Sequence, residues 1–532
     1  MIYFIPAWYA GEAWHEHEQY WHSRRAHTEF DDTVKQVQLF QRNKICPFQI
    51  MLLSYAPNFR HFLHRQGVYH APYWSAFDAI QGIRRKKAVP LSYHSLKWPE
   101  GTEFVYSMFV VLAMCGGEKF ARIEFGEDGN MIDVTMYKQG VEQRKNIYDD
   151  RGFASSSIVY HEGVPYYQDY LGEDGIWRIR HFLSTGRVRV NPRYGSFRLE
   201  AGGKAGEVFY QSLEYDDLSE ILAEVAAAYA ARSQEQDVFC AAVHSLHMPL
   251  LRQVLARRNL IFSMFEERNS FLLSAEAVDM LSDADQLICD SAQGREVLLA
   301  HGQNRLPPCT VITPFDIRPD FGISQQMTTQ KILVPVDGLE PGMQSRLTLL
   351  LGNYMLKNPH AEVYWFTRKA DFGLDRALLE STKDILTQAG LAWETNAQPL
   401  DMVSLQEEKR ISEKSLCSRW FVEQCVDELS VSKCLRRQRL IVDFRNIRDV
   451  YLRVVTLSMG IPQILQRPSE FMVSGKNGVV LEDPRQLPQW LDFYLAELSN
   501  WNQAMVAAYE IGKRFDTATQ LKRWKGVLDS FG

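Results

Sequence analysis

Two histidines and one aspartate follow apolar runs at positions where a cleft-facing side chain could do chemistry. His244 and His247 end the run DVFCAAVHSLH, and Asp337 directly follows ILVPV. A histidine or an acid placed at the end of a strand can contact a sugar or transfer a proton. A lone carboxylate, however, is not the acid–base pair that glycoside chemistry requires. The pattern therefore favours structural roles for these residues, and no catalytic residue is assigned.

The loop after the first predicted strand is dense in aromatic residues, among them Trp8 and Trp14. Aromatic faces can stack on sugar rings, and Trp and Tyr also dominate protein interfaces. We therefore consider Trp8, Trp14, His244 and His247 as possible contacts for a carbohydrate or a partner protein. The alternative interpretation is a packed lid for Trp8 and Trp14 and a satisfied structural histidine at the other two positions.

Potential metal ligands do not show metal-binding spacing. The histidines of the N-terminal loop lack the HExxH and His-x3-His patterns; they are His15, His17, His22 and His27. The eight cysteines are scattered and form no CxxC pair. We predict neither a metal nor a cofactor.

Composition excludes several classes of protein. The 532 residues carry a net charge of −6 and a pI of about 6.2, which argues against a general nucleic-acid binder. The basic runs IRRKK (83–87) and LRRQRL (435–440) are more typical of solvated faces than of binding sites. Scattered thiols favour a reduced, cytoplasmic setting. The longest apolar run, near residues 106–115, is too short to span a bilayer, although peripheral contact with a membrane translocase stays open.

Alternating strand and helix patterns predict two parallel α/β units, with a β-rich segment inside the first. Residues 1–85 and 216–325 form the first Rossmann-like domain, and 326–510 form the second. Residues 86–215 contain repeated short strands separated by Asp-Gly and Gly-Gly turns, which indicate an antiparallel sheet. A continuous helical stripe runs through LPQWLDFYLAELSNW, and a C-terminal helix is predicted over 511–532. The fold class is therefore α/β, with two domains facing a cleft.

The second unit resembles the nucleotide-binding domain of retaining GT-B glycosyltransferases. In that family GRLxxxKG follows the first strand of the domain, and VDGLEPGMQ occupies that place here. The resemblance puts the arginine position at Gly338 and the lysine position at Met343. It puts the two donor-binding glutamates at Ile447 and Val455, anchored on Gly460 and Pro462 of SMGIP. None of the four residues present can bind a phosphate or a ribose hydroxyl, which implies a donor site that has been lost.

Motifs in the first half of the sequence indicate which group of GT-B proteins the chain resembles. FIPAW, DDTVKQVQLF and the stretch 149–192 are similar to bacterial adhesin glycosyltransferases with an extended β-sheet insertion. Combined with the altered donor site, this pattern resembles the family of first accessory Sec proteins. That family is a degenerate GT-B group from the system that exports serine-rich-repeat adhesins in Gram-positive bacteria.

This resemblance implies a non-catalytic subunit of the accessory Sec system. It implies two sister accessory Sec proteins and the accessory SecA ATPase as partners, together with a glycosylated adhesin preprotein recognised through N-acetylglucosamine. Two alternatives stay open: an active glycosyltransferase with a non-standard donor site, and a lectin-like binder of the glycosylated adhesin.

Overall fold

The architecture comes from a computed structural model of the chain. It describes residues 1–16, 20–22, 30–201, 204–269, 275–302, 305–391, 415–447 and 449–531. His17 and His27 of the predicted histidine cluster lie outside these residues.

The first α/β unit is built on a seven-stranded parallel sheet with the order β19-β18-β17-β16-β1-β2-β3. Its strands are β1 (Ile2–Ile5), β2 (Phe48–Leu52), β3 (Tyr73–Ser75), β16 (Val238–Ala242), β17 (Asn259–Met264), β18 (Gln286–Cys289) and β19 (Cys309–Val311). Strand β1 is fully buried and pairs with β2 on one side and with β16 on the other. Strands β1 and β16 are thus neighbours in the sheet although more than 200 residues separate them along the chain. This arrangement confirms that the β-rich segment is inserted into this unit.

Helices cover both faces of this sheet. They are α1 (Asp32–Asn43), α2 (Phe59–Arg65), α3 (Ala76–Gln81), α4 (Leu218–Ala230), α5 (Met248–Val254), α6 (Glu266–Asn269), α7 (Ala275–Leu281) and α8 (Ala292–Gly302). Helix α1 begins at Asp32, because the Asp31 side chain caps it by accepting hydrogen bonds from the Thr33 and Val34 amides.

The inserted segment forms a ten-stranded antiparallel sheet with the order β15-β12-β11-β10-β9-β8-β7-β6-β5-β4. Its strands are β4 (Glu103–Tyr106), β5 (Val111–Cys115), β6 (Glu118–Phe125), β7 (Met131–Lys138), β8 (Val141–Asp149), β9 (Phe153–His161), β10 (Val164–Leu171), β11 (Trp177–Phe182), β12 (Val188–Val190) and β15 (Glu214–Tyr215). A separate hairpin pairs β13 (Ser196–Ala201) with β14 (Lys204–Phe209). Turn glycines such as Gly129 and Gly163 have positive φ, as the predicted hairpins require.

The second α/β unit contains a six-stranded parallel sheet with the order β22-β21-β20-β23-β24-β25. Its strands are β20 (Gln330–Pro335), β21 (Ala361–Thr367), β22 (Trp420–Gln424), β23 (Leu440–Asp443), β24 (Gln463–Leu465) and β25 (Gly478–Val480). Strand β22 was not predicted, since its edge position leaves most of its side chains half-buried and weakens the apolar pattern.

The C-terminal helices differ from the single stripe that the sequence predicts. The helices of the second unit are α9 (Pro341–Lys357), α10 (Leu374–Gln388), α11 (Glu428–Leu435), α12 (Val450–Ser458), α13 (Leu487–Leu495), α14 (Leu498–Gly512) and α15 (Thr517–Leu528). The stripe is interrupted between α13 and α14, and Leu498 is exposed rather than buried. The predicted continuous helix there is wrong, because the chain turns after Leu495.

The last helix returns to the first unit. Trp524 of α15 packs edge-on against Phe40, with ring centroids 5.0 Å apart, and also contacts Phe4. Gln520 donates to the Phe315 carbonyl and Arg523 to the Val311 carbonyl, both at 2.9 Å. The C-terminal segment therefore connects the two α/β units.

The domain boundaries at 1–85 with 216–325, 86–215, 326–510 and 511–532 stay predictions. The sheets described above are compatible with them. None of the helices in the described part of the chain has both the length and the apolar composition needed to cross a membrane.

Candidate functional site: the cleft between the two units

The candidate site lies where the carboxyl ends of the two parallel sheets face each other, the usual position of a ligand in paired α/β domains. The loops after β17 and β19 approach it from the first unit. The loops after β20, β21 and β23 approach it from the second unit. In this structure the side chains of these loops pack against one another across the cleft.

An apolar cluster fills part of the cleft. Phe30 and Phe315 of the first unit pack on Tyr451 of α12, with ring centroids 4.8 and 5.0 Å apart. Phe265 extends the cluster from the first unit, and Val450 extends it from the second. These contacts bury aromatic surface of both units in one core, so they stabilise the closed arrangement.

Arg368, directly after β21, is the central charged residue of the cleft. Its guanidinium donates to Asp449 Oδ1 at 2.6 Å and to Glu267 Oε1 of the first unit at 2.9 Å. It also lies over the Phe30 ring, with Cζ 4.5 Å from the centroid. Arg368 thus bonds to both units at once.

Asp449 explains why α12 begins where it does. Its Oδ1 accepts a hydrogen bond from the Leu452 amide at 2.9 Å, which makes Asp449 the N-cap of the helix. Burial would raise the pKa of Asp449, but Arg368, Arg445 and the Leu452 amide lower it below its usual value. The carboxylate therefore stays charged inside the cleft.

A second buried ion cluster lies beside the one formed by Arg368, Asp449 and Glu267. Asp443, at the end of β23, bonds to Arg445 at 2.9 Å and to Arg453 at 2.5 Å. Burial alone would raise the pKa of Asp443, yet the two guanidinium groups lower it to about 2. Among the described residues of this cleft, Arg368, Arg445 and Arg453 each have a carboxylate partner, so none of the three is free to bind a diphosphate.

Asp337 also serves the local structure. Its two carboxylate oxygens accept hydrogen bonds from Thr367 Oγ1 at 2.7 Å and from the Arg368 amide at 2.8 Å. These bonds join the loops after β20 and β21 and hold Arg368 in place.

The four positions that the resemblance places in a donor site lie on this same side of the second unit. Gly338 has φ of 75°, and a β-carbon built on it would lie 2.1 Å from Ile447 Cδ1. An arginine at 338 would therefore be strained and would displace Ile447. Met343 packs against the core of the second unit, and Val455 packs against the apolar cluster of the cleft.

Trp8 and Trp14 lie in the core of the first unit, with exposures of 5% and 8%. The Trp8 indole N–H donates to Asp31 at 3.0 Å, and its ring packs on Phe62. The Trp14 indole N–H donates to Ser219 at 3.3 Å. Core packing covers both rings, in keeping with the packed-lid interpretation, and contact of Trp8 or Trp14 with a carbohydrate or a partner stays a prediction.

His247 is fully buried and both ring nitrogens are satisfied. Nδ1 lies 2.9 Å from the Tyr9 hydroxyl and Nε2 lies 2.6 Å from the Ala242 carbonyl. Burial lowers the pKa of His247 to about 3, so the ring is neutral at physiological pH. His244 is half-buried beside Tyr9, and burial lowers its pKa as well. Contact of these residues with a carbohydrate or a partner stays a prediction, and for His247 it would require the loop to open.

The residues that organise the cleft were missed by sequence reasoning. Arg368 and Glu267 are 101 positions apart, and no local spacing connects them. One signal was available: Arg368 directly follows AEVYWFT, a fully buried strand whose carboxyl end must reach the cleft.

Comparison with known proteins places the chain in one family. The family model described as "Accessory Sec system protein ASP1" matches residues 1–530. A protein of that description from Streptococcus gordonii is 29% identical, with 99% of each chain covered. One from Staphylococcus aureus is 28% identical, with 95% of this chain and 94% of the relative covered.

Solved structures agree with this result. A chain of the Glycosylation Associate Protein (Gap123) complex from Streptococcus agalactiae has a TM-score of 0.77 and 28% identity, covering 98% of this chain and 99% of its own. A chain of accessory secretory protein 1, 2 and 3 from Streptococcus pneumoniae has a TM-score of 0.77 and 27% identity over the full length of both. The pneumococcal O-GlcNAc transferase GtfA, solved with UDP and GlcNAc, has a TM-score of 0.68 at 10% identity, covering 100% of this chain and 99% of its own. This last likeness concerns the fold alone, and it confirms the predicted GT-B-like architecture.

Replacing Arg368 tests whether its ion pairs hold the cleft together. Arg368→Met keeps the length of the side chain but leaves Asp449 and Glu267 without this partner. We expect the free energy of unfolding to fall by about 3 kcal/mol, because a buried carboxylate loses its main counter-charge. Urea denaturation followed by tryptophan fluorescence measures this change. Arg376→Met is the matched control, since the Arg376–Glu380 pair is exposed and its loss should leave the unfolding transition almost unchanged. Equal losses in the two variants would contradict the assignment.

Acid should weaken the protein through Asp443. Because the folded-state pKa of Asp443 is lowered to about 2, its contribution is fully present at neutral pH and is lost as pH falls towards 2. The pH-dependent part amounts to about 2–3 kcal/mol, and about half of it should be gone by pH 3. The stability difference between wild type and Asp443→Asn should therefore narrow between pH 5 and pH 3. Asp371→Asn, at an exposed acid, is the control. A difference that is independent of pH would argue against a charged Asp443.

Proposed function

This chain belongs to the accessory Sec system protein ASP1 family, and from that membership we propose that it is a non-catalytic subunit in the export of a glycosylated serine-rich-repeat adhesin. The accessory Sec role follows from the family match over residues 1–530. The absence of catalysis, the partners and the cargo are the further content of the proposal.

The observation that carries the non-catalytic role is the state of the cleft. A GT-B enzyme needs cations for the donor diphosphate and open space for the sugar nucleotide. In the described part of the cleft, Arg368, Arg445 and Arg453 are paired with carboxylates of the same chain, and aromatic side chains of both units pack between the two units. Gly338, Met343, Ile447 and Val455 supply no charge. This combination favours a scaffold over a glycosyltransferase with a non-standard donor site.

The proposed direct partners are two sister accessory Sec proteins. The similar chains from Streptococcus agalactiae and Streptococcus pneumoniae come from structures of a Gap123 complex and of accessory secretory proteins 1, 2 and 3. Identities of 27–28% over almost the whole length support an equivalent assembly for this chain.

The more distant partners rest on the family resemblance. They are the accessory SecA ATPase and the adhesin preprotein, engaged through its N-acetylglucosamine groups. We place the protein in the cytoplasm, with peripheral contact at the membrane translocase, and we expect no nucleic-acid partner because the net charge is −6. A lectin-like role would require binding of the glycosylated but not the bare adhesin repeat.

Co-expression tests the proposed assembly. A tagged copy of this chain should co-purify with both sister proteins and elute with them as one species in size-exclusion chromatography with light scattering. Asp337→Asn is the matched variant, because it removes the carboxylate of the loop after β20 while retaining an acceptor for the loop hydrogen bonds. We expect this variant to assemble and to support adhesin export in cells at the wild-type level. A chain that elutes as a lone monomer beside its sisters, or an Asp337→Asn variant that assembles but exports no adhesin, would contradict the proposal.

A further inference from the structure

A second cavity lies at the amino ends of the strands of the first sheet. It measures about 920 Å³ and is lined at its base by residues at the amino ends of three parallel strands: Tyr3 of β1, Gln49 of β2 and Tyr73 of β3. The interdomain cleft lies at the carboxyl ends of the same strands. The two sites are therefore at opposite edges of the sheet, and the cavity is distinct from the cleft.

The lining of this cavity is strongly basic. Seven basic side chains line it against three acidic ones, Asp78, Glu200 and Asp237. The basic residues are Arg60, Arg84, Arg85, Lys86, Arg151, Arg198 and Arg232. Three of them belong to the run IRRKK, for which the sequence alone favoured a solvated face. The structure places this run at a concave surface instead.

Most of this positive charge is not neutralised inside the protein. Arg151 is the exception, since it pairs with both Asp78 and Asp149 at 2.7 Å. Arg85 donates to two backbone carbonyls, those of Arg151 and Gly152, and so keeps its full charge. In the part of the chain that the structure describes, neither guanidinium forms an ion pair; the Glu173 carboxylate instead accepts hydrogen bonds from the Arg84 and Arg85 backbone amides, at 2.5 and 2.6 Å.

The remaining cations have weak partners. Lys86 lies 3.7 Å from Glu200, and both side chains are exposed. Arg198 lies 3.9 Å from the same carboxylate, so two cations share one acid. Arg232 is exposed, and among the described residues its side chain donates to the Leu199 carbonyl alone, at 3.5 Å. An excess of positive charge in a protein with a net charge of −6 is a local feature of this cavity.

We propose that this cavity binds an acidic peptide segment of a partner protein. Guanidinium groups hold carboxylates through paired hydrogen bonds, and five of the six basic residues other than Arg151 are arginines.

Because the cations are exposed, the site favours an extended ligand with several carboxylates over a compact ligand with one or two. Arg84, Lys86 and Arg232 are exposed, and solvent screening makes each such contact weak. High affinity therefore needs several contacts at once, which a chain of spaced carboxylates provides. The cations belong to separate segments: Arg60 to α2, Arg84 and Lys86 to the segment after α3, Arg198 to β13, and Arg232 to the segment after α4.

The apolar part of the lining suits a peptide as well. Tyr69 is 43% exposed and offers apolar surface, whereas Leu63, Ala71 and Ile83 line the cavity but are already buried. An acidic segment with interspersed aromatic or aliphatic residues could pack these residues on Tyr69 while its carboxylates contact the rim. The proposal does not depend on the export role, because the site is tested with a bare peptide.

Fluorescence anisotropy tests the site on the full chain. The probe is a short fluorescein-labelled peptide in which Asp or Glu alternates with Tyr or Leu, and its matched control carries Asn and Gln in place of the acids. We expect the acidic peptide to bind and the neutral one not to bind. The triple variant Arg84→Gln, Lys86→Gln, Arg232→Gln should weaken binding by about tenfold or more. The triple variant Arg376→Gln, Lys476→Gln, Arg485→Gln, at exposed positions of the second unit, makes the same change in net charge and should bind like wild type.

Three results would overturn the proposal. The first is absence of binding by the acidic peptide, or equal binding by the neutral one. The second is an equal loss in both triple variants, which would mean non-specific attraction. The third is tighter binding of inorganic pyrophosphate or of a single-stranded oligonucleotide that only the cavity variant loses, which would assign the site to a phosphate ligand.

Discussion

A guanidinium buried between two domains needs partners that offset its desolvation, and at Arg368 two carboxylates supply them. Glu267 supplies a carboxylate from the first unit and Asp449 supplies one from the second. Asp449 also caps α12, so the same charge that binds Arg368 fixes the start of the helix that packs Tyr451 against Phe30. Ion pairing, helix capping and aromatic packing are therefore coupled in one place.

The same ion pairs occupy the arginines that a glycosyltransferase of this fold would use to bind its sugar nucleotide. A sugar-nucleotide site needs cations that are free to bind phosphate, whereas Arg368, Arg445 and Arg453, among the residues that the structure describes in the cleft, are paired with carboxylates of the chain. Gly338 lies beneath Ile447 in a backbone conformation that disfavours an arginine. What the architecture retains is two rigid α/β units joined by a returning helix, with an inserted sheet and large exposed surfaces. We propose that these surfaces serve the binding of partner proteins.

Much of the fold was predictable because buried parallel strands and Asp-Gly hairpins leave strong local patterns. The insertion could be inferred from the change of pattern alone, whereas the sequence leaves Asp31 and Asp32 as equal candidates for the cap of α1, and the structure assigns the cap to Asp31. The break before Leu498 was not predictable, since apolar residues continue at helical spacing through a turn of the chain. The cleft was not predictable for a different reason. Arg368 acquires its role from Glu267, 101 residues away, and burial of Trp8 and Trp14 depends on elements that only the tertiary fold brings together.

We propose that this chain does not bind a sugar nucleotide, although its fold is GT-B-like. Isothermal titration calorimetry of the full chain with UDP-N-acetylglucosamine and with UDP tests it most directly, with an active GT-B glycosyltransferase titrated in parallel to validate the ligands. We expect no heat of binding when either ligand is titrated into this chain. Saturable binding of UDP-N-acetylglucosamine or UDP to this chain would contradict the proposal.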